Sequence, residues 1–383
     1  MNTKKLIALN VNVGDAFYLE TSDKKILIDG GQSKNGFPTI FQTNTGHQET
    51  DIIVCTHADA DHVNGLIGFF EAGFTSKEVW LPGSWSYKLK ELAQNPSKFI
   101  LDAISEPHFH NARALTLDET FLRSLHEDMN YEVTEEQQYQ NEEMTDDDLY
   151  DIFEKSSTNA ISYNVYNHTI INHYFWHAIN TPYIYSIPEL IDTAKNILTL
   201  CNLAFNAGAK IRWFEFSEHK PAKGGEPFLK PVNCTEIAFS KKNISNLDYL
   251  LLTKANKESL VFFHPNENSN GGVLFSGDSD FGFNQDLPDL RENSIITVPH
   301  HGSEHNANAY LRLYKENISS DKTIFIRSDR KCKKRPGISF LSIPQTNRHC
   351  TICRNNNSIK KAVTFCFTND SWSNSGVQKC CCS

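Results

Sequence analysis

The chain is predicted to fold as an α/β protein, because strand patterns and helical patterns alternate along it. A β-branched apolar run at 51–55 predicts a buried strand, and the helical spacing of 63–73 follows it after a short polar loop. In the second half, Pro188 suits the first turn of a helix that ends at Gly208, and a strand follows at Lys210–Phe216. Helix and strand patterns therefore alternate in both halves of the chain.

The composition is that of an ordinary globular protein. The chain has 383 residues, of which 39% are hydrophobic and 22% charged, and a formal net charge of −9. No apolar run approaches the roughly 20 residues of a membrane span, and Lys4 and Lys5 lead into a strand-like segment instead of a secretory signal. We therefore predict a cytoplasmic protein with no membrane partner. Ten cysteines in a chain of this length do not make a disulfide scaffold.

The other predicted elements are mostly short strands bounded by turn residues. These strands are predicted at Leu6–Val13, Ala16–Glu20, Lys25–Ile28, Glu78–Gly83, Asn256–Phe263, Gly272–Ser276 and Ser294–Val298. The first three suggest a meander, and the turn cluster at 266–272 predicts a hairpin between its two neighbours. Residues 85–105 are expected to be helical.

A central insertion is predicted at 107–185, because the composition changes sharply there. Between Glu127 and Glu154, twelve acidic side chains occur without one Lys or Arg. Such a run is typical of a solvated helix face or of a mobile insertion. We interpret the acidic stretch 127–154 as peripheral.

Four ionisable side chains lie on the loop after the strand at 51–55, and they are His57, Asp59, Asp61 and His62. On a strand-to-helix loop they can converge on one point beyond the end of the strand. Two imidazoles and two carboxylates suit zinc, manganese or iron better than calcium, which prefers oxygen alone. The competing interpretation is an acidic helix start beside two surface histidines, but a helix start needs only one or two such groups.

Two further polar clusters also follow predicted strands. The hairpin delivers Gly277 and Asp278, and the strand at 294–298 delivers His300 and His301. Taken singly, each cluster is compatible with an ordinary turn or with a pair of loop histidines. Both clusters stand at strand ends, as the first loop does.

These motifs resemble those of the metallo-β-lactamase superfamily. The loop at 57–62 resembles its His-x-His-x-Asp-His signature, with Asp59 where most members carry the second histidine. Four segments resemble the ComEC-like branch: His-x-Asp-x-Asp-His at 57–62, Gly-Asp-Ala at 14–16, Leu-Ile-Asp-x-Gly at 27–31 and His-His-Gly-Ser at 300–303. The resemblance implies a single domain over 1–383, built as a four-layer αββα sandwich with the central insertion.

The resemblance also implies a set of metal ligands. His57 and Asp59 would contribute to a first metal site. Asp61, His62 and one histidine of the 300/301 pair would hold a second site, and Asp278 would bridge the two. His300, nearest the strand end, is the preferred ligand, and His301 is expected to support a ligand or to donate a proton.

Two further roles stay open. Asp29 either braces the metal loop from behind the ligands or is a turn aspartate. The middle histidine of the superfamily has no clear counterpart, and His108, His110 and His177 are candidates, whereas His264 fits the hairpin strand as an ordinary side chain.

The implied chemistry is hydrolysis by a metal-bound hydroxide. Binding to one or two zinc ions, or to manganese, lowers the pKa of water from about 15.7 to about 7. Asp61 would orient this nucleophile, and His301 or His305 would protonate the leaving group. The ComEC-like branch implies a nuclease or phosphodiesterase. An ester or lactone hydrolase of the same fold and a non-catalytic partner-binding protein are the alternatives.

The segment 322–383 combines basic residues with most of the cysteines. Residues 322–361 carry eleven Lys and Arg side chains against one Asp, so their local net charge is +10. One interpretation is a solvated charged face. The other is a groove that binds the phosphates of a nucleic acid or a nucleotide.

The cysteines of this segment suggest a structural zinc ion. Cys350 and Cys353 have the spacing of half a zinc site, which Cys332, His349 or Cys366 could complete. Our hypothesis is a zinc ion at Cys332, Cys350 and Cys353. Adjacent cysteines cannot easily share one ion, so exposed thiols are expected at 380–382.

Overall fold

The structure is a computed structural model that describes residues 4–106, 145, 147–153, 186–266, 271–290, 292, 294–316, 323–329, 335–352, 362–374, 380 and 382. It is a mixed α/β protein with two mixed β-sheets and helices, as the alternation of strand and helix patterns predicts. The chain divides into two compact units. The first comprises Met1–Pro82, Leu203–Glu236 and Asn256–Ser383, and the second comprises Gly83–Asn202 and Ile237–Ala255.

The strands of the described residues form two sheets. They are β1 (Lys4–Ala8), β2 (Phe17–Glu20), β3 (Lys25–Ile28), β4 (Glu49–Val54), β5 (Thr75–Pro82), β6 (Lys210–Phe216), β7 (Lys230–Pro231), β8 (Cys234–Ile237), β9 (Phe262–Pro265), β10 (Gly272–Phe275), β11 (Ser294–Thr297), β12 (Thr323–Arg327), β13 (Arg348–Cys350), β14 (Val363–Thr368) and β15 (Ser371–Asn374). The first sheet has the order β15-β14-β1-β2-β3-β4-β5-β6-β8, and the second has the order β13-β12-β11-β10-β9-β7.

Each sheet contains a run of parallel strands. Strands β3 to β6 run parallel in the first sheet, and strands β10 to β13 run parallel in the second. Strand β10 also pairs with β9 in the predicted antiparallel hairpin. The carboxyl ends of parallel strands meet at one edge of a sheet, which is where α/β proteins bind ligands. Each sheet therefore has such an edge. In the first sheet the loops after β3 and β4 start there, and in the second sheet the loops after β10, β11 and β12 do.

The helices of the described residues are α1 (Phe37–Thr45), α2 (Ala60–Glu71), α3 (Leu89–Gln94), α4 (Pro96–Ser105), α5 (Ser186–Asn206), α6 (Asn246–Lys254), α7 (Ala307–Glu316) and α8 (Ile338–Leu341). Residues 147–153 are also helical. Side chains cap two of these helices: Asn95 accepts a hydrogen bond from the N–H of Lys98 in α4, and Ser245 accepts one from Asp248 in α6, both at 3.0 Å. Local sequence thus sets where these helices begin.

The core of the first unit takes side chains from both sheets. Leu6, Phe17 and Val54 of the first sheet belong to the same apolar cluster as Phe262 and Val273 of the second sheet. None of the five is more than 2% exposed. Each sheet therefore buries one face in a shared core.

Two predicted strands differ from those observed. The strand predicted for Leu6–Val13 ends at Ala8, and a turn with Asn12 at a φ of 70° follows it. The strand predicted for Asn256–Phe263 is instead a 3₁₀ turn at Asn256–Glu258 followed by a strand at Phe262–Pro265. By contrast, the predicted strands Lys25–Ile28 and Lys210–Phe216 have the observed bounds.

The side chain of Asn233 explains why residues 259–261 form no strand. Its Nδ2 donates a hydrogen bond to the carbonyl of Ser259 at 2.9 Å, and its Oδ1 accepts one from the N–H of Val261 at 2.8 Å. Because these bonds satisfy the backbone, the segment needs no partner strand.

The predicted insertion at 107–185 lies outside the described residues, except for 145 and 147–153. Its role and the predicted domain boundaries therefore stay predictions. Among the helices that the structure describes, none is long and apolar enough to cross a bilayer.

Helix α1 was not predicted from the sequence, and its packing generates a test of the fold. Phe41 is fully buried and forms edge-on contacts with Tyr18 and Phe69, with ring centroids 5.5 and 5.2 Å apart. We expect Phe41→Ala to lower the free energy of unfolding by about 3–5 kcal/mol, because it leaves a cavity among aromatic rings. Leu311→Ala, at a site 66% exposed, should change it by less than about 0.5 kcal/mol. Urea denaturation measures both, and equal losses would contradict this packing.

Candidate metal centre

The loop after β4 delivers the first group of polar side chains. His57 and Asp59 lie on this loop, and Asp61 and His62 lie in the first turn of α2. Asp59 is the N-cap residue of α2, so both carboxylates stand near the positive end of the helix dipole. His62 is fully buried, whereas the side chains of Asp59 and Asp61 are 24% and 22% exposed.

The second sheet delivers Asp278 after β10 and a histidine pair after β11. His300 and His301 occupy the turn Pro299–Gly302 with φ values of 46° and 55°, a left-handed conformation that is uncommon outside glycine. Two bonds fix this turn: the N–H of His300 donates to the carbonyl of Gly277 at 3.1 Å, and its Nδ1 lies 2.9 Å from Asn306 Oδ1. The strained turn brings both imidazoles to Asp278.

Asp278 lies at the centre of four imidazole rings. Its Oδ1 is 3.1 Å from His62 Nε2 and 3.4 Å from His301 Nε2. Its Oδ2 is 3.5 Å from His300 Nε2 and 3.9 Å from His57 Nε2. The two carboxylate oxygens therefore face two different pairs of histidines.

Carboxylates behind the rings orient two of these histidines. Asp29 Oδ2 lies 2.8 Å from His62 Nδ1, and Asp15 Oδ1 lies 3.0 Å from His301 Nδ1. Asp29 is itself held by the N–H of Thr56, which donates to Oδ1 at 2.9 Å. His62 Nδ1 is hydrogen-bonded to Asp29, His301 Nδ1 lies within ion-pair distance of Asp15, and in both histidines Nε2 points to Asp278. Such pairs fix the ring of a metal ligand and raise its basicity.

A buried ion pair ties the histidine turn to the loop that carries Asp15. Arg327 Nε donates to the carbonyl of His301 at 2.6 Å, and its Nη2 lies 3.3 Å from Asp329 Oδ2. Asp329 Oδ1 accepts a hydrogen bond from the N–H of Gly14 at 3.2 Å. Arg327 and Asp329 are both fully buried, and Arg335 Nη1 also lies 3.5 Å from Asp329 Oδ2, so this buried carboxylate has two cationic partners.

The charges of the cluster shift one another's pKa values. Burial alone would raise the pKa of Asp278, but the charges of His301, His300 and His62 hold it well below its usual range. Burial would lower the pKa values of His62 and His301, yet the charge of Asp278 contributes to raising both well above normal. Burial and the neighbouring His62 lower the pKa of His57. The carboxylate of Asp278 therefore remains anionic and requires nearby positive charge.

The donor atoms fit a transition-metal ion. Within the described residues, His57 Nε2 and Asp278 Oδ1 are buried without a hydrogen bond. Two ligands about 2.1 Å from a tetrahedral ion lie roughly 3.4 Å apart. His62 Nε2, His301 Nε2 and Asp278 Oδ1 are separated by 3.1, 3.2 and 3.4 Å. Asp15 and these three residues place ligand-type atoms within 4.8 Å of one another, so this buried Asp and His cluster could bind a metal ion.

The structure brings the predicted site residues into one cluster. Asp59 Oδ2 lies 3.9 Å from His57 Nε2, and Asp61 Oδ2 lies 3.4 Å from His301 Nε2. His301, rather than His300, therefore stands beside Asp61 and His62. His305, the other predicted proton donor, is exposed in the following turn.

Sequence reasoning missed three residues that support the cluster. These are Asp15, Ser259 and Arg327. Ser259 Oγ accepts a hydrogen bond from the N–H of Asp278 at 3.0 Å and lies 3.5 Å from His57 Nδ1. Asp15 belongs to the Gly-Asp-Ala segment quoted above, and this motif was the available signal. Nothing in the sequence near Arg327 indicates the contacts that it makes.

The predicted middle histidines His108, His110 and His177 lie outside the described residues. His264 is buried on β9 and hydrogen-bonds the carbonyl of Phe228 at 2.6 Å, as expected for an ordinary side chain. Burial lowers its pKa to about 4, with a smaller contribution from the charge of Lys4.

The basic segment contributes little exposed charge where it is described. Of its eleven basic residues, only Arg327, Arg335 and Arg348 are described, and Arg327 and Arg348 are 0% and 8% exposed. For these two the predicted solvated face or groove is wrong, because Arg327 is ion-paired in the core and Arg348 packs over the ring of Phe340. Arg335 is partly exposed and lies 3.5 Å from Asp329 Oδ2. For the eight basic residues outside the described part of the chain, the solvated face or groove stays a prediction.

The predicted zinc ligands are only partly described. Cys332 and Cys353 lie outside the described residues, while Cys350 is buried at the end of β13. The expectation of exposed thiols is wrong for Cys380 and Cys382, which are 0% and 7% exposed. Both belong to an apolar cluster that also contains Cys350.

Comparison with known proteins gives a short similarity. No protein-family model matches the chain. Two curated relatives that match it are the exodeoxyribonuclease WalJ of Streptococcus pneumoniae serotype 2 (strain D39 / NCTC 7466) and that of Streptococcus pneumoniae (strain ATCC BAA-255 / R6). Each is 39% identical over 54 residues, which is 14% of this chain. The chain therefore spans only 20% of the length of these relatives.

The approach of Gly14 to the metal loop yields a test of the site's backbone. A Cβ on Gly14, at a φ of +88°, would lie 1.7 Å from the carbonyl oxygen of Asp61. Gly73 is a matched control, because its φ is +78° and no described atom lies within 4 Å of its Cβ position. We expect Gly73→Ala to cost about 1–2 kcal/mol of unfolding free energy through left-handed strain alone. Gly14→Ala should cost at least twice as much in guanidinium denaturation, and equal costs would refute the contact.

Proposed function

We propose that the chain is a metal-dependent hydrolase that cleaves phosphodiester bonds in nucleic acid, on a four-layer αββα metallo-β-lactamase fold. The observation that carries the proposal is the cluster of imidazoles and carboxylates around Asp278. Similarity to an exodeoxyribonuclease over 54 residues supports the substrate class. The core shared by the two sheets supports the fold.

The proposed ligands form two sets that share Asp278. One set is His62, His301 and Asp61 with Oδ1 of Asp278, and its neighbouring donor atoms are 3.1 to 3.4 Å apart. The other set is His57, Asp59 and His300 with Oδ2 of Asp278, and its spacings are 3.5 to 3.9 Å. This assignment exchanges the roles of His300 and His301 that the sequence favoured, because His301 Nε2 is the nitrogen that faces His62.

Asp61 is proposed to orient the attacking water. When bound, one or two zinc or manganese ions would lower the pKa of water and polarise the phosphoryl group. Burial would raise the pKa of Asp61, but a hydrogen bond from His301 and the charge of His62 lower it, so the side chain stays a carboxylate. With 22% of its side chain exposed, it can accept a hydrogen bond from a water that enters from solvent.

Substrate is proposed to approach from the side of Asp59, Asp61 and His300. Their side chains are 21% to 24% exposed, whereas those of His62 and His301 are fully buried. His301 has carboxylates at both ring nitrogens, so it cannot readily donate a proton to a leaving group. We assign that role to the exposed His305.

The metal content of variants tests the ligand assignment. We expect the protein, purified without chelator, to carry one or two transition-metal ions per chain at this centre. Asp278→Ala should lose most of them, because both ligand sets share this carboxylate. Asp280→Ala is the matched control: it lies on the same loop, and its Oδ1 accepts only the N–H of Gly282 among the bonds found there. Elemental analysis decides, and full occupancy of this centre in Asp278→Ala would refute the assignment.

A substrate panel tests the reaction class. With manganese or zinc, the protein should cleave bis-p-nitrophenyl phosphate and single- or double-stranded DNA. Asp61→Ala should lower kcat by roughly 100-fold or more, as expected when a group that orients the nucleophile is lost. RNA, a lactone and a β-lactam complete the panel. Turnover of the lactone or β-lactam alone would favour the ester hydrolase, and metal binding without any turnover would favour the binding protein.

A further inference from the structure

Three cysteines of the first unit lie together outside the Asp278 centre. The Sγ atoms of Cys350, Cys380 and Cys382 are within 4.8 Å of one another, and all three side chains are buried. Cys350 ends β13, which is an edge strand of the second sheet. Cys380 and Cys382 are 30 and 32 positions further along the chain, so the fold assembles this group across sequence.

Backbone contacts hold Cys380 against the edge strand. Its N–H donates to the carbonyl of Arg348 in β13 at 2.8 Å, and its carbonyl accepts a hydrogen bond from Gln345 Nε2 at 3.3 Å. Cys382 reaches the same point two residues later. The Sγ atoms of Cys380 and Cys382 therefore both lie within 4.8 Å of that of Cys350.

The three sulfurs match the ligands of a thiophilic metal ion. Zn–S bonds of about 2.3 Å in a tetrahedral site place sulfurs roughly 3.8 Å apart, which is compatible with the observed grouping. Calcium and magnesium prefer oxygen ligands, so they do not suit this set. A single disulfide would join only two of the three sulfurs and leave the third thiol buried beside it.

A buried cation supplies a second, independent observation. Arg348 lies two residues before Cys350 in β13, so both side chains lie on the same face of the strand. Its Nε and Nη1 are buried, and neither donates to an acceptor in the described part of the chain. Its Cζ lies 5.7 Å from the ring centroid of Phe340, which belongs to the same apolar cluster as the cysteines. A buried guanidinium with unused donors favours an anionic group on this face.

We propose that Cys350, Cys380 and Cys382 bind a structural zinc ion. Binding displaces the three thiol protons to solvent, and the complex of Zn²⁺ with three thiolates carries a net charge of −1, opposite to that of Arg348. One tetrahedral position remains for a fourth ligand. The ion would hold Cys380 and Cys382 against the edge strand β13 and so protect that edge from pairing with another chain.

The proposed zinc ion also has a structural link to the Asp278 centre. Cys350 pairs in register with Arg327 of β12, and the N–H of Thr351 donates to the carbonyl of Arg327 at 3.1 Å. Arg327 in turn holds the carbonyl of His301. The ion would therefore stabilise the strand that flanks a supporting residue of the other centre.

Cobalt substitution of the Asp278→Ala variant tests the proposal without changing any cysteine. This variant should retain one zinc per chain, and cobalt in its place should show thiolate-to-cobalt charge-transfer absorption in the near ultraviolet. Histidine and carboxylate ligands give no such band, so the readout separates the cysteine site from the Asp278 centre. Its outcome does not depend on whether that centre hydrolyses nucleic acid.

Cysteine substitutions complete the experiment. Adding Cys382→Ser to Asp278→Ala should remove the remaining zinc equivalent and the charge-transfer band. Adding Cys201→Ser instead should remove neither, because Cys201 is a fully buried cysteine on α5 outside this group. Absence of metal and of the band in Asp278→Ala would overturn the proposal. So would mass spectrometry of the unmodified protein that finds a disulfide among Cys350, Cys380 and Cys382.

Discussion

The carboxylate of Asp278 is 2% exposed, and the rings of His57, His62, His300 and His301 surround it. Removing an ion from water costs several kcal/mol unless opposite charge and hydrogen bonds compensate it. A buried carboxylate of this cluster is therefore stable only while its imidazole partners stay in place. A protonated imidazole likewise depends on its carboxylate partners. The loops that carry them must form together, because none can bury its charge alone.

This dependence explains why the surrounding backbone is so constrained. The left-handed turn at His300 and His301 is unfavourable by itself, and it persists because Gly277, Asn306 and Arg327 bond to it. Gly277 has a φ of +49°, and a Cβ there would lie 2.3 Å from Ser259 Oγ, the atom that accepts the N–H of Asp278. The left-handed turn places the rings of His300 and His301 beside Asp278, and the close approach of Gly277 to Ser259 places the carboxylate of Asp278 there.

The parts of the site that the sequence predicts are those that local pattern encodes. His57, Asp59, Asp61 and His62 fall within six residues after a strand, and Asp278 follows a hairpin, so their placement needs no knowledge of distant contacts. The choice between His300 and His301 is different, because a φ of about +50° at two adjacent residues decides which ring faces His62. No residue preference reveals that conformation.

Long-range contacts account for the other features that local sequence does not reveal. Asp15 and His301 are 286 positions apart, so only the folded chain shows that one orients the other. The zinc site predicted from the spacing of Cys350 and Cys353 stays a prediction, because Cys353 lies outside the described residues. In the described part of the chain, the sulfurs grouped with that of Cys350 belong to Cys380 and Cys382, which are 30 and 32 positions further along the sequence. A count of charges along the sequence treats Arg327 and Arg348 as surface residues. Both are buried, so their charges are not available to bind a ligand at the protein surface.

The two proposed ligand sets differ in what stands behind their histidines. Carboxylates of Asp29 and Asp15 hold the rings of His62 and His301, and such partners increase ligand basicity.

Neutral groups hold the rings of the other set. His57 Nδ1 lies 3.0 Å from the hydroxyl of Thr56, and His300 Nδ1 lies 2.9 Å from the amide oxygen of Asn306. The set that contains His62 and His301 also has the shorter distances between its ligand atoms, and its histidine side chains are less exposed. Under the proposed assignment, the buried set is thus already arranged for an ion. The exposed set would have to contract around its ion, and a phosphate oxygen of the substrate could complete it.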